Sequence, residues 1–117
     1  MKYVLSILVL LAGVTLAATD SAEIRDRLQL ADGLFRRSMF ELAAREYATL
    51  AAIPDVIDQE NILFRLGESY RRSNQTKEAD EAYKRLLEKY PKSLLASRAQ
   101  LQRDRKSTRL NSSHDQI

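Results

Sequence analysis

The chain has no cysteine, no tryptophan, two prolines, three glycines and a single histidine among its 117 residues. Without cysteine there is no disulfide framework and no thiol for a lipid anchor, so the fold must stand on its packed core. The lone His114 excludes a Cys/His metal cluster or nucleophile pair and leaves a Ser-His-Asp triad without a base elsewhere in the chain. Gly13, Gly33 and Gly67 are isolated, so no glycine-rich phosphate loop exists. Carboxylates do occur side by side, as in Asp80-Glu81, but helical neighbours point apart and read as a solvated face. No metal, no cofactor and no catalytic constellation is expected.

The two ends differ from the middle. Lys2 is followed by an apolar run from Tyr3 to Ala12 broken only by Ser6, and Thr15 and Ala17 are small residues suited to a cut after Ala17. That pattern predicts a secretory signal peptide over 1–17. The apolar stretch is short for the roughly 20 residues of a membrane span, so no integral span is expected after its removal. At the other end, residues 104–117 resemble the translation of a short-read sequencing adapter, so a non-native tail is expected there, with the natural continuation beyond residue 103; a natural basic, polar tail is the alternative. Setting both ends aside, 15 Lys and Arg stand against 14 Asp and Glu, a net charge of +1. The whole-chain charge of +3 is thus largely an end effect, and no nucleic-acid partner is expected.

Between the ends, apolar residues recur at helical spacing. Ile24, Leu28, Ala31, Leu34 and Phe35 mark a first helix over Ser21 to Arg37. Ser38-x-x-Glu41 has the form of a capping box for a second helix from about Met39 to Ala52, stopped by Pro54. A third is expected from about Val56 to Ser73, with Asp55 or Asp58 as its N-terminal acid and Asn74 at its end. Thr76 can cap a fourth helix over Lys77 to Lys89. After Tyr90-Pro91-Lys92-Ser93 a fifth begins near Leu94. The predicted class is all-α, in antiparallel helix pairs.

The pairs repeat. Leu30, Ala31 and Leu34 stand 36 residues before Leu66, Gly67 and Tyr70, and Ala43, Tyr47 and Leu50 stand 36 before Ala79, Tyr83 and Leu86. In the second unit, Leu63-x2-Leu66-Gly67-x2-Tyr70, then Ala79-x3-Tyr83, then Pro91 is one spaced pattern. Leu63, Leu66 and Tyr70 share a helical face. Gly67 lets a second helix approach, Ala79 is the small residue on that helix, and Tyr83 fills the gap. Tyr47, Tyr70 and Tyr83 accordingly read as core.

This pattern resembles the tetratricopeptide repeat over residues 24–103, with Leu63 where Trp is usual, Tyr83 for Phe, and a period two residues longer than the usual 34. The Lys89-Tyr90-Pro91-Lys92-Ser93 ending is similar to that of exported bacterial members of the family, the Tol-Pal periplasmic coordinators among them. The resemblance implies an α-solenoid: a degenerate repeat over 18–54, a second over 55–91, and the start of a third over 92–103. Since about three repeats are usually needed for stability, such a chain is expected to be marginal alone.

The family also implies a binding groove built from the first helix of each pair. Its positions fall on Asn61, Phe64, Glu68, Arg71 and Arg72, and 36 residues earlier on Arg25, Leu28, Asp32, Phe35 and Arg36. The implied function is a non-enzymatic scaffold of the bacterial cell envelope, periplasmic or secreted. It would bind a protein or peptide partner, and could self-associate through the truncated third repeat. An accessory arm of an exported enzyme with its catalytic domain beyond residue 103, and a helical spacer, are the alternatives. A spacer calls for sustained heptads, against which the breaks at Ser38, Pro54, Asn74 and Pro91 argue.

Overall fold

The computed structural model describes the backbone of residues 21–115 and the side chains of 21–105. The signal-peptide reading of 1–17 lies outside the described residues. Among the described residues five helices follow one another: α1 over 21–36, α2 (Phe40–Ala51), α3 (Gln59–Arg72), α4 (Thr76–Lys89) and α5 (Leu94–Asp115). No strand occurs among the described residues. α3 packs on both α2 and α4, and α5 lies against α4 and α3.

The core follows the 36-residue offset. Ala43, Tyr47 and Leu50 on α2 are 0% exposed, and Ala79, Tyr83 and Leu86 on α4 are 3%, 2% and 0% exposed. Each leucine buried in this way contributes about 1.5–3 kcal/mol. Small residues set the spacing: Ala31, Ala44, Ala51, Ala82, Ala96 and Ala99 are all buried, so the helices meet over short side chains. Leu66 is 3% exposed and its counterpart Leu30 is 52% exposed. Leu66 sits on a helix packed on both sides, whereas Leu30 belongs to the first described helix.

The helix ends differ from the expectation at three places. Ser38 does not cap α2: it adopts a left-handed backbone, φ 61°, and the N-cap position falls on Met39, which makes no side-chain cap bond. The reason lies upstream. Ser38 N–H donates to the Phe35 carbonyl at 3.0 Å and Met39 N–H to the Leu34 carbonyl at 2.9 Å, the paired bonds that close a helix around a left-handed residue. The same closure recurs 36 residues later. Asn74 has φ 65°, its N–H reaches the Arg71 carbonyl at 3.2 Å, and Gln75 N–H reaches the Tyr70 carbonyl at 2.8 Å. Likewise Thr76 is the first residue of α4 rather than its cap, a position taken by Gln75 without a side-chain cap bond. Finally α3 starts at Gln59, not near Val56, because Asp55 and Asp58 are both left-handed and Val56 is buried as a plug in the connection. Pro54 stands in that same connection, with α2 already ended at Ala51.

Serine is a poor left-handed residue, and glycine pays no steric penalty there. Ser38→Gly is therefore expected to stabilise the chain by about 1 kcal/mol, seen as a rise in the urea midpoint at constant slope. Asn74→Gly should gain less, since asparagine tolerates this conformation. A fall in midpoint for Ser38→Gly would contradict the closure described.

Candidate functional site

Two tyrosine–carboxylate pairs cross from the second helix of each pair to the first. Tyr83 Oη donates to Glu68 Oε1 at 2.6 Å, and Tyr47 Oη donates to Asp32 Oδ1 in the same way. Both span 15 residues, one pair 36 residues after the other. Burial raises the pKa of each tyrosine, and the hydrogen bond and charge of its carboxylate add to that. Both hydroxyls are firmly protonated donors. Glu68 is 5% exposed. Burial alone would push its carboxyl up, but hydrogen bonds from Arg71 and Tyr83 and the charges of Arg71 and Arg72 outweigh this and hold it below the ordinary value. Arg71 Nη2 donates to Glu68 Oε2 at 2.8 Å, and Arg72 Nε lies 3.6 Å from the same oxygen.

Asp32 shows the other face of this arrangement. It opens into a cleft of about 190 Å³ between α1 and α3, lined by Leu28, Asp32, Tyr47, Asp58, Asn61, Ile62 and Arg65. Leu28 and Asp32 are one helical turn apart on α1, as Asn61 and Arg65 are on α3, so the two helices present matched rungs. Arg65 Nε stands 4.0 Å from Asp32 Oδ1. Asn61 Nδ2 donates to Asp58 Oδ1 at 2.6 Å at the mouth of the cleft.

Beside the cleft Phe35 is half-buried. Its ring meets Phe40 edge-on at 5.3 Å and Tyr47 at 6.4 Å between centroids. Two guanidinium groups of α3 lie over it, Arg65 at 5.0 Å and Arg72 at 5.3 Å, and Arg72 also covers Phe40 at 5.2 Å. Such stacking orients an arginine while leaving its edges to solvent.

The ten groove positions fall into separate settings. Leu28, Asp32 and Asn61 line the cleft together. Phe35 and Arg72 stack next to it. Glu68 differs from the expectation of a surface position, because Tyr83 and the two arginines draw its side chain inward. Arg71 is committed to Glu68. Phe64 is half-buried against the Tyr83 ring, 6.3 Å between centroids. Arg25 is exposed and turns back on its own helix to the Ser21 carbonyl at 3.4 Å, and Arg36 is exposed. Asp80 is not part of a merely solvated pair: its Oδ1 accepts from Arg103 Nε at 2.7 Å, tying α4 to α5. Sequence reasoning missed Arg65 and Asp58. Arg65 follows Asn61 by one turn, which is the signal that could have found it.

These helices and their spacing bear directly on the family. Residues 62–93 match the family model of the tetratricopeptide repeat. The match begins within α3, runs through α4 and ends at the Ser93 turn. The matched stretch includes the Gly67–Tyr83 contact and the Tyr83–Glu68 bond, so the similarity to the repeat lies on the α3–α4 pair. The repeat supports a scaffold for protein–protein interaction, a class that is typically non-catalytic. No curated protein and no solved structure matches the chain. No described helix is long and apolar enough to cross a membrane.

Proposed function

We propose that this chain is a non-enzymatic scaffold of the bacterial cell envelope, exported by residues 1–17, that holds a protein or peptide partner against α1 and α3. The observation that carries the reading is the α1–α3 cleft, where half-buried Leu28 stands beside Asp32, Asn61 and Arg65 over the buried Ile62. An accessible apolar side chain flanked by hydrogen-bonding groups is the make-up of a peptide-recognition surface. The tetratricopeptide match in the adjoining pair favours the same use. Export rests on the charge and hydropathy pattern of the first 17 residues, and fusion of residues 1–20 to a reporter active only outside the cytoplasm tests it.

Binding is tested by selecting extended peptides from a random display library on the full chain and titrating the winners by calorimetry. Leu28→Ala with Asn61→Ala removes an anchor and a polar rung, and is expected to weaken binding about tenfold or more with an unchanged helical circular dichroism signal. Winners that bind this double variant as well as the parent, or no winners at all, would overturn the reading.

A further inference from the structure

We infer that the partner contacts this face through acidic side chains, with carboxylates seated on Arg65 and Arg72 on either part of the Phe35 ring. The inference rests on the binding face proposed above and adds the chemistry of its occupant. Both guanidinium groups lie within 5.3 Å of one aromatic centroid, so two positive charges are gathered around a single ring. Their nearest carboxylate oxygens, on Asp32 and Glu68, stand at 4.0 and 3.6 Å, longer than a hydrogen bond. Those carboxylates are already taken, Asp32 by Tyr47 and Glu68 by Tyr83 and Arg71. The side chains of Arg65 and Arg72 remain 42% and 44% exposed.

The arrangement is therefore cationic, stacked and incompletely neutralised. Stacking removes much of the rotamer freedom that an exposed arginine loses on binding, and a planar guanidinium matches a carboxylate edge to edge. Arg36, exposed at the end of α1 and next to Phe35, extends the positive rim. In an extended peptide alternate residues face the same side, so an alternating acidic segment turns a row of carboxylates toward the arginines. Charge complementarity selects an acidic protein segment over a basic or neutral one.

The test is fluorescence anisotropy of the full chain with a short labelled peptide in which Glu alternates with Ser, beside its Gln and Lys counterparts. The Glu peptide is expected to bind about tenfold or more tightly than the Gln peptide, to weaken with salt, and the Lys peptide to show no saturation. Arg65→Gln with Arg72→Gln should lower affinity for the Glu peptide by a similar factor, while Arg45→Gln on the exposed side of α2 leaves it unchanged. Reversal of both charges, Arg65→Glu with Arg72→Glu, should lose the Glu peptide and gain the Lys peptide, an exchange that unfolding cannot produce. Equal binding of Glu and Gln peptides, no effect of the paired variants, an equal loss with Arg45→Gln, or tighter binding of single-stranded DNA than of the Glu peptide would each overturn the inference. If library peptides still bind through Leu28 and Asn61 in the paired arginine variant, the binding face stands and only its acidic preference falls.

Discussion

Tyr83→Ala is expected to lower the unfolding free energy by about 3–5 kcal/mol. Tyr83 is 2% exposed and fills the space between α3 and α4, against Gly67 on one side and Phe64 on another. Truncation leaves a cavity that neighbouring Ala79 and Ala82 are too small to fill. It also removes the donor to Glu68, a carboxylate that is almost wholly buried. Tyr83→Phe separates the two effects. It keeps the ring and deletes only the hydroxyl, and should cost about 1–3 kcal/mol for the under-satisfied acid. Urea denaturation of the full chain followed by circular dichroism measures both. Near-equal midpoints for Tyr83→Ala and the parent would mean that the α3–α4 seam is not the core.

Gly67→Ala has the next largest effect. A Cβ at residue 67 would stand 2.3 Å from Tyr83 Cε1 and 2.5 Å from Cδ1, well inside van der Waals contact. The ring cannot swing away freely, because its hydroxyl is bonded to Glu68 and its other edges are buried. Either α3 and α4 separate or the bond is broken, and overpacking of this kind costs about 1–3 kcal/mol. Gly33 is the control, since a Cβ there meets nothing within 4 Å. Gly33→Ala should stabilise the chain by about 0.5–1 kcal/mol through helix propensity alone. The clash also predicts non-additivity: in the Tyr83→Ala background Gly67→Ala should cost little or nothing, because the obstructing ring is gone. A full, additive penalty in the double variant would show that Gly67 matters for some reason other than Tyr83.

Gly67 and Tyr83 are also where the sequence was most legible. Their spacing demands a close approach between two helices, and the structure has it. The 36-residue offset was equally readable, and it carries further than core positions: the left-handed closures at Ser38 and Asn74 and the two tyrosine–carboxylate pairs obey it as well. Ser38 was misread because a serine followed three residues later by glutamate fits two roles. Which one it takes depends on whether the backbone bonds of the preceding helix close first. Glu68 shows a different limit. Helical periodicity tells which face a residue occupies but not how deep its side chain lies, and depth here is decided by Tyr83, fifteen residues on. Asp32 has the same partner geometry yet lines an open cleft. Arg65 escaped notice because it lies between the motif positions, and its importance arises from Phe35 on another helix, a contact no local pattern encodes.

The claim on which the functional account depends is that partners bind where α1 faces α3. Backbone amide NMR shifts of the full chain, followed while a library-selected peptide is titrated in, test it most directly. The account predicts that the perturbed amides gather in two stretches, 25–36 on α1 and 58–72 from the α3 N-cap through α3, with the solvent sides of α2 and α4 little changed. Perturbations concentrated on the outer side of α2 or of α4, with α1 and α3 silent, would contradict it.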